Sequence, residues 1–370
     1  MSIDWTKVNR VLVVRLRSIG DTVLSTPSLT ALRRFLPEAQ IDILLEDWVA
    51  PVLESFDAVD NVLTVSRKSK KSRIETALRL RRNDYDAAFN LHGGTTATFF
   101  TFASGAKYRV GYKEYRYNFL YNHLLSSSSD FWQKEHTHSA EQQLALLGFA
   151  GVPVFDKPKS RLIVAEKALH SLREKFTAET QRNTEFLQSF FQPIETNSPR
   201  FSAESSRLSG ENFALIHPAA AFDSKQWSTE NFARVAEFLF EKGLNTIAVA
   251  TPKEREVLEN LKRYSDAPIL TFDDLTLPEI MALASEAKIF VGNDSGIAHI
   301  AAAVKTPSVV IFGSSNINHW RPWTNAPNEI VFAEKPCSHL TGEIRKGSEN
   351  PKCIRCVEVK EVCTAIERIL

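Results

Sequence analysis

The chain has 370 residues, 43% hydrophobic and 24% charged, with a formal net charge of +1. That length predicts two domains of ordinary size rather than one core. The near-neutral charge excludes a global pull toward nucleic acid or membrane, so any such attraction must be local.

No apolar run approaches the ~20 residues that span a bilayer. The opening MSIDWTKVNRVLVVRLRS holds a four-residue apolar run broken by arginines, with no cleavage-type sequence after it. It is therefore not expected to be a signal peptide, and a cytoplasmic protein is expected. Four cysteines confined to the last 34 residues make no disulfide framework for a chain of this size.

In chain order, RVLVVRL, QIDILLE, NVLTVS and DAAFNL read as buried strands. Between them DTVLSTPSLTALRRFLP, WVAPVLESF and RIETALRLRRN carry helical spacing. Strands alternating with helices predict βαβ units and a parallel sheet. A Tyr- and Arg-rich stretch, GAKYRVGYKEYRYNFLYN, precedes the helix-like SAEQQLALLGFAG. The segment EKALHSLREKFTAETQRNTEFLQSFFQ can be helical, but PIETNSPRFSAESSRLSG is polar and aperiodic and reads as a linker or flexible insertion.

The second half holds five strand candidates, NFALIHP, NTIAVA, APILTF, KIFVGN and PSVVIFG. Ser228 is placed to cap a helix between a Trp227–Phe232 staple, and Val235 and Leu239 continue the stripe from Phe232. Thr251 with Glu254, and Thr276 with Glu279, fit capping boxes. The expected architecture is two doubly wound α/β domains facing a cleft at the carboxyl ends of their strands, where such folds bind ligands. The expected domains are 1–185, a linker 186–210, a second domain 211–345 and a Cys-containing tail 346–370.

Three strand-to-helix loops carry candidate chemistry. RLRSIGDTVLSTP sets Asp21 at a helix start beside Arg15 and Arg17. There it can cap the helix, or it can take a proton from an incoming hydroxyl. HPAAAFDSKQW offers small residues that let a ligand approach the backbone, followed by Lys225 to neutralise charge. A lone surface lysine is the plainer alternative, and the spacing is not that of a Walker loop.

VGNDSGIAHIAAAV supplies Gly292, Ser295 and Gly296 for a tight turn, and the amides from Ser295 to Ala298 form an anion seat at a helix start. Asp294 would repel a phosphate, so it either caps the helix or accepts from a sugar hydroxyl. His299 lies in the first turns, where a packed histidine is the commoner outcome. No G-x-G-x-x-G follows the first strand, which argues against an ordinary dinucleotide-dependent dehydrogenase.

Taken together, RLRSIGDTVLSTPSLTALRRFLP, NLHGG…YRVGY, HPAAAFDSKQW with NFARVAEFL, and VGNDSGIAHIAAAVKTPSVVIFG with HWRPW resemble the ADP-heptose:lipopolysaccharide heptosyltransferases, glycosyltransferase family 9. The motifs occur in order from about residue 10 to 325. The resemblance implies a GT-B fold of two Rossmann-like domains, acceptor on the first and nucleotide-sugar on the second. It implies an inverting, metal-independent transfer without a cofactor.

By the same resemblance Asp21 is the general base, Lys225 neutralises the diphosphate, and Asp294, Ser295, Gly296, Ile297 and His299 hold donor phosphate and sugar. Glu254 falls in the loop that contacts the ribose, and Leu275 near the segment lining the adenine. Ala220 and Ala221 stand where some relatives carry hydroxyls, so phosphate contacts there would rest on amides. Arg15, Arg17, Ser18, Arg109 and Lys113 are the candidate acceptor contacts.

The stretch 67–82 carries eight basic residues against one acid. This is either a solvated helix face or an attraction to the lipopolysaccharide core or the inner leaflet, at ~1 kcal/mol per basic residue near the surface. Lys107 and Arg116 can likewise meet acceptor phosphates. The expected place is the cytoplasmic face of the inner membrane, with no nucleic-acid partner.

Cys337, Cys353, Cys356 and Cys363 make a poor zinc ribbon, and VKEVCTAIERIL reads as a terminal amphipathic helix that buries Cys363. A structural metal in this tail stays open. Competing readings are a GT-B transferase with another nucleotide-sugar, a non-catalytic nucleotide-sugar-binding protein, and a sugar-nucleotide epimerase.

Overall fold

A computed structural model describes residues 3–182, 212–333 and 353–370. The chain divides into two units, one of Met1–Ile163 with Asn318–Trp323, the other of Val164–Ile317 with Thr324–Leu370. The boundary at Ile163 falls earlier than the 185 expected from sequence. The linker expected at 186–210 lies outside the described residues.

The first unit holds six parallel strands: β1 Arg10–Val14, β2 Gln40–Glu46, β3 Asn61–Val65, β4 Ala87–Asn90, β5 Tyr108–Tyr112 and β6 His123–Leu125. Their spatial order is β3-β2-β1-β4-β5-β6. Helices α1 Ile19–Val23, α2 Thr26–Phe35, α3 Lys70–Arg82, α4 Gly94–Ala103, α5 Ser128–Trp132 and α6 Ser139–Phe149 connect and cover them. The helix expected across DTVLSTPSLTALRRFLP is broken at Ser25, because Pro27 starts a new helix in its first turn and has no N–H to continue the old one. WVAPVLESF gives only a 3-10 turn, Ala50–Leu53, for the same reason at Pro51.

The second unit opens with α7 Glu166–Arg182. Its strands are β7 Phe213–His217, β8 Asn245–Val249, β9 Ile269–Phe272, β10 Ile289–Asn293, β11 Ser308–Phe312 and β12 Asn328–Phe332, all parallel. The order β12-β11-β10-β7-β8-β9 repeats the topology of the first unit. Its helices are α8 Thr229–Glu241, α9 Arg255–Tyr264, α10 Leu277–Glu286 and α11 Gly296–Ala303, and α13 Val359–Ile369 closes the chain. The short α12, Ile317–Trp320, carries the chain into the segment grouped with the first unit.

The tail is part of the second core. Val362, Ala365 and Ile366 pack with Trp227, Phe232 and Ile311, and the indole of Trp227, 1% exposed, donates to Val357 O at 3.0 Å. Truncating Trp227 to Ala would cost about 3–5 kcal/mol. Cys363 packs partly buried against this core, and burial pushes its thiol up to about 11. Cys337 lies outside the described residues. Among the described residues no helix is long and apolar enough to cross a membrane.

The topology decides where ligands can sit. In each unit the winding direction reverses between two adjacent strands, β1 and β4 in the first, β7 and β10 in the second. Crossovers leave those strands on opposite faces, so their carboxyl-end loops diverge and open a crevice.

Candidate active site

In the first unit the two crevice loops are Arg15–Ser18 after β1 and Leu91–Gly93 after β4. Asn90 shapes the second loop by accepting from the His92 and Gly93 amides at 3.0 and 2.9 Å. Gly93 has φ +70°, and a Cβ there would press the Tyr115 ring at 3.1 Å. Across the crevice Arg15, 6% exposed, donates Nη1–H to Leu91 O at 2.7 Å and ion-pairs with the Asp21 carboxylate.

The other Asp21 oxygen accepts from the Ser18 hydroxyl at 3.0 Å and the Ser18 amide at 3.3 Å, completing a capping box on α1. The capping role foreseen for Asp21 is therefore real, and it coexists with a second, ionic tether. Two neighbours fix the carboxylate, yet its side chain keeps 21% of its surface in solvent.

Beside this pair lies a cavity of about 230 Å³, with Arg17, Arg67, Arg73, Glu46 and His92 on its walls. Arg73 donates to Arg67 O at 2.7 Å, and Glu46 accepts the Trp48 indole N–H at 2.8 Å, so part of the wall is held in place. The His92 Nδ1 is buried and has no hydrogen-bond partner among the described residues. Burial first, and then the cations Arg15 and Arg17, push the His92 imidazole down to about 4 against the opposing pull of Asp21. It is neutral at physiological pH. The cavity therefore offers a surplus of positive charge, suited to an acidic ligand.

The structure brings Arg15, Arg17, Ser18 and Asp21 together. Arg109 and Lys113 are not among the residues lining the cavity. Arg109 directs two of its donors to backbone carbonyls, Nε–H to Leu120 O at 2.7 Å and Nη1–H to Ala106 O at 2.6 Å.

In the second unit β7 and β10 run side by side, with His217 opposite Gly292. The small residues after β7 lead into a 3-10 turn, Asp223–Lys225. Lys225 Nζ donates to Asp294 Oδ2 at 2.8 Å, with the lysine side chain 28% and the aspartate side chain 6% exposed. Asp294 thus forms an ion pair, an option the sequence reading did not weigh.

Buried Asn293 stitches the two loops, accepting from the Trp227 amide at 3.0 Å and donating to Pro218 O at 2.9 Å. Gly313 follows β11 so closely that a Cβ would lie 2.4 Å from Ser224 O. A side chain at 313 would displace the residue next to Lys225.

Ser295 is the N-cap of α11 with no side-chain cap, and its hydroxyl meets His217 Nδ1 at 3.3 Å. Burial pushes His217 down to about 4, with Glu254 opposing. Ile297 and His299 are buried in α11. Ala221 is exposed, whereas the Ala220 amide already donates to Gln226 Oε1 at 3.1 Å. Glu254 caps its own turn, accepting from the Thr251 amide at 3.0 Å and hydroxyl at 2.7 Å. Leu275 lies half-buried between β9 and α10.

The sequence reading missed His92 and Glu46 in the first unit and His217 and Asn293 in the second, and it held Arg67 and Arg73 only as part of the basic stretch 67–82. Five of these six, Glu46, Arg67, His92, His217 and Asn293, close a parallel strand or follow it within two residues. A polar side chain at that position was the available signal. Among the described residues no three His, Cys, Asp or Glu side chains gather closely enough to hold a metal ion.

The family model for glycosyltransferase family 9 (heptosyltransferase) matches residues 73–347. Lipooligosaccharide heptosyltransferase 2 of Haemophilus ducreyi is 24% identical over 68% of this chain and 66% of its own length, just under two thirds. Lipopolysaccharide heptosyltransferase 3 of Escherichia coli is 25% identical over 72% of this chain and 73% of its own. Among solved structures, a family 9 glycosyl transferase from Veillonella parvula superposes with a TM-score of 0.77 at 17% identity, covering 100% of this chain and 98% of that one. The E. coli ADP-heptose lps heptosyltransferase II gives 0.73 at 19% identity, covering 97% and 98%. Two parallel six-stranded sheets with flanking helices agree with these GT-B folds. The chain belongs to glycosyltransferase family 9, the heptosyltransferases, and is a glycosyltransferase.

Proposed function

We propose that the protein transfers heptose from ADP-heptose to an acceptor in the lipopolysaccharide core, with inversion and without a metal. The observation that carries this reading is the pairing of Lys225 with Asp294 at the uncapped start of α11. A movable cation beside helix-terminal amides is chemistry suited to a departing diphosphate.

The acceptor oxygen bonds to the anomeric carbon as the bond to the ADP oxygen breaks, and the sugar inverts. The acceptor proton goes to Asp21, and the negative charge goes to ADP. The carboxylate is held in place by Arg15, and it can take the proton because the hydroxyl becomes strongly acidic as its oxygen forms the new bond. Lys225 turns from Asp294 toward the diphosphate, leaving Asp294 to accept from a sugar hydroxyl.

Ser295, Gly296, Ile297 and His299 frame that end of the donor. Ala220, Ala221, Glu254 and Leu275 serve its phosphate, ribose and adenine. Arg15, Arg17 and Ser18, with Arg67 and Arg73, receive the anionic acceptor, and Arg109 and Lys113 meet its outer charges. The protein works at the cytoplasmic face of the inner membrane.

The test is incubation of the purified protein with ADP-heptose and core acceptors of increasing length, with products read by mass. One acceptor should gain a single heptose. Consumption of a different activated sugar with no heptose gained would overturn the donor assignment.

A further inference from the structure

Twelve large apolar side chains are exposed among the described residues, and six of them fall on one part of the first unit: Ile74, Leu78, Phe99, Phe102, Tyr117 and Phe119. Ile74 and Leu78 are four apart on α3, 61% and 53% exposed, so they share a face. One turn before and after, that face carries Lys70 and Lys71, then Arg81 and Arg82. Phe99 and Phe102 are three apart on α4, 48% and 51% exposed, and α3 packs against α4.

Contacts tie these pieces together. The Arg81 guanidinium lies directly against Gly105, where any Cβ would collide with it. The Arg109 guanidinium sits 5.9 Å from the Phe102 ring while its Nε–H donates to Leu120 O, the neighbour of Phe119. Arg116 lies 5.2 Å from the Tyr117 ring. The stretch 94–119 adds four basic residues against one acid, so with the eight-to-one excess of 67–82 the face is strongly cationic.

We infer that this α3–α4 face is a docking surface for an anionic lipid bilayer. The inference deepens the membrane part of the proposed function by naming the surface. Rings and branched side chains flanked by long cationic stems suit the headgroup boundary, where the apolar part enters the acyl region and the charges meet acidic headgroups. A face built only for solvation needs no exposed Phe99, Phe102 or Phe119. The same two helices help to wall the cationic cavity, through Arg73, Thr96 and Phe100. Docking by their outer sides sets that cavity beside the surface where a lipid-linked acceptor lies.

The test is co-sedimentation of the full chain with phosphatidylcholine vesicles, with and without phosphatidylglycerol. The wild type should bind only the anionic vesicles, and less as salt rises. K70Q/K71Q should weaken binding roughly 20- to 30-fold. F99S/F102S and I74S/L78S should each weaken it roughly tenfold or more. All three should keep the wild-type melting temperature and transfer to a short water-soluble acceptor.

Binding that ignores phosphatidylglycerol, or that all three variants retain, overturns the inference. So does a dimer in solution that these variants dissociate, since a second copy would then cover the face. Vesicle binding can fail while heptosyl transfer survives, so the two proposals fall separately.

Discussion

Replacing Lys225 with Met removes one charge and keeps the length of the side chain, and the structure gives two separable consequences. The first concerns stability. Asp294, with its side chain 6% exposed, loses the charged partner it holds at 2.8 Å. A fully buried pair broken this way costs about 3–5 kcal/mol. Because Lys225 keeps 28% of its side chain in water, the cost here is about 1–3 kcal/mol. For a unit of this size that lowers the melting temperature by about 2–12 °C.

The second consequence concerns transfer. One charge-assisted hydrogen bond to the leaving group is worth about 1.5–3 kcal/mol, so kcat/KM should fall about 10- to 150-fold. The double variant K225M/D294N separates the two. It removes the orphaned carboxylate, so calorimetry should find stability near wild type, while a coupled ADP-release assay still finds transfer crippled. A double variant that transfers heptose at the wild-type rate would refute the leaving-group role and reduce the pair to a structural tether.

Asp21→Asn should lower kcat by about 10²–10⁴-fold, the usual range for a lost general base, and titration calorimetry should find ADP affinity unchanged. A loss of ADP affinity would contradict the acceptor-side assignment. Exhaustive treatment with EDTA should leave the rate intact, and activity that vanishes and returns with a divalent cation would contradict charge neutralisation by Lys225. His92 and His217 are both pushed down to about 4, mainly by burial, so the unfolded chain binds more protons than the folded one between pH 6.5 and 4. Their contribution is fully present above 6.5 and fades by up to about 2–3 kcal/mol each as the pH falls to 4. Urea titrations across that window should show it, and H217N should flatten part of the slope. An unchanged slope in H217N would contradict the assignment.

Most of the fold was legible because parallel strands covered on both faces read as continuous apolar runs, as in RVLVV and SVVIF. The strands β5, β6 and β12 were not. YRVGY and NEIVF are only part-buried, and HLL is three residues long, so none shows the unbroken apolar signature. The Trp227–Phe232 staple survives as an edge-on ring pair 5.1 Å apart, because the two residues are five positions apart across the helix start and need no long-range partner.

The candidate site divides along the same line. Asp21, Lys225 and Asp294 were visible because glycine and small residues mark the loops that follow strands. The bond between Lys225 and Asp294 was not, since 69 residues separate them and only the β7–β10 pairing brings their loops together. The sequence marked Arg109 as a cation for the acceptor, but nothing local reveals that its Nε–H and Nη1–H are turned to the carbonyls of Leu120 and Ala106.

The central claim is that a lysine and helix-start amides receive the donor's diphosphate while an aspartate receives the acceptor's proton. A crystal structure with a non-transferable ADP-heptose analogue and a core acceptor tests it most directly. The account predicts Lys225 Nζ and the first amides of α11 within hydrogen-bond distance of diphosphate oxygens, and an Asp21 oxygen on the attacking hydroxyl. Lys225 still locked to Asp294 with the phosphates bound elsewhere, or Asp21 out of reach of the acceptor, would contradict it.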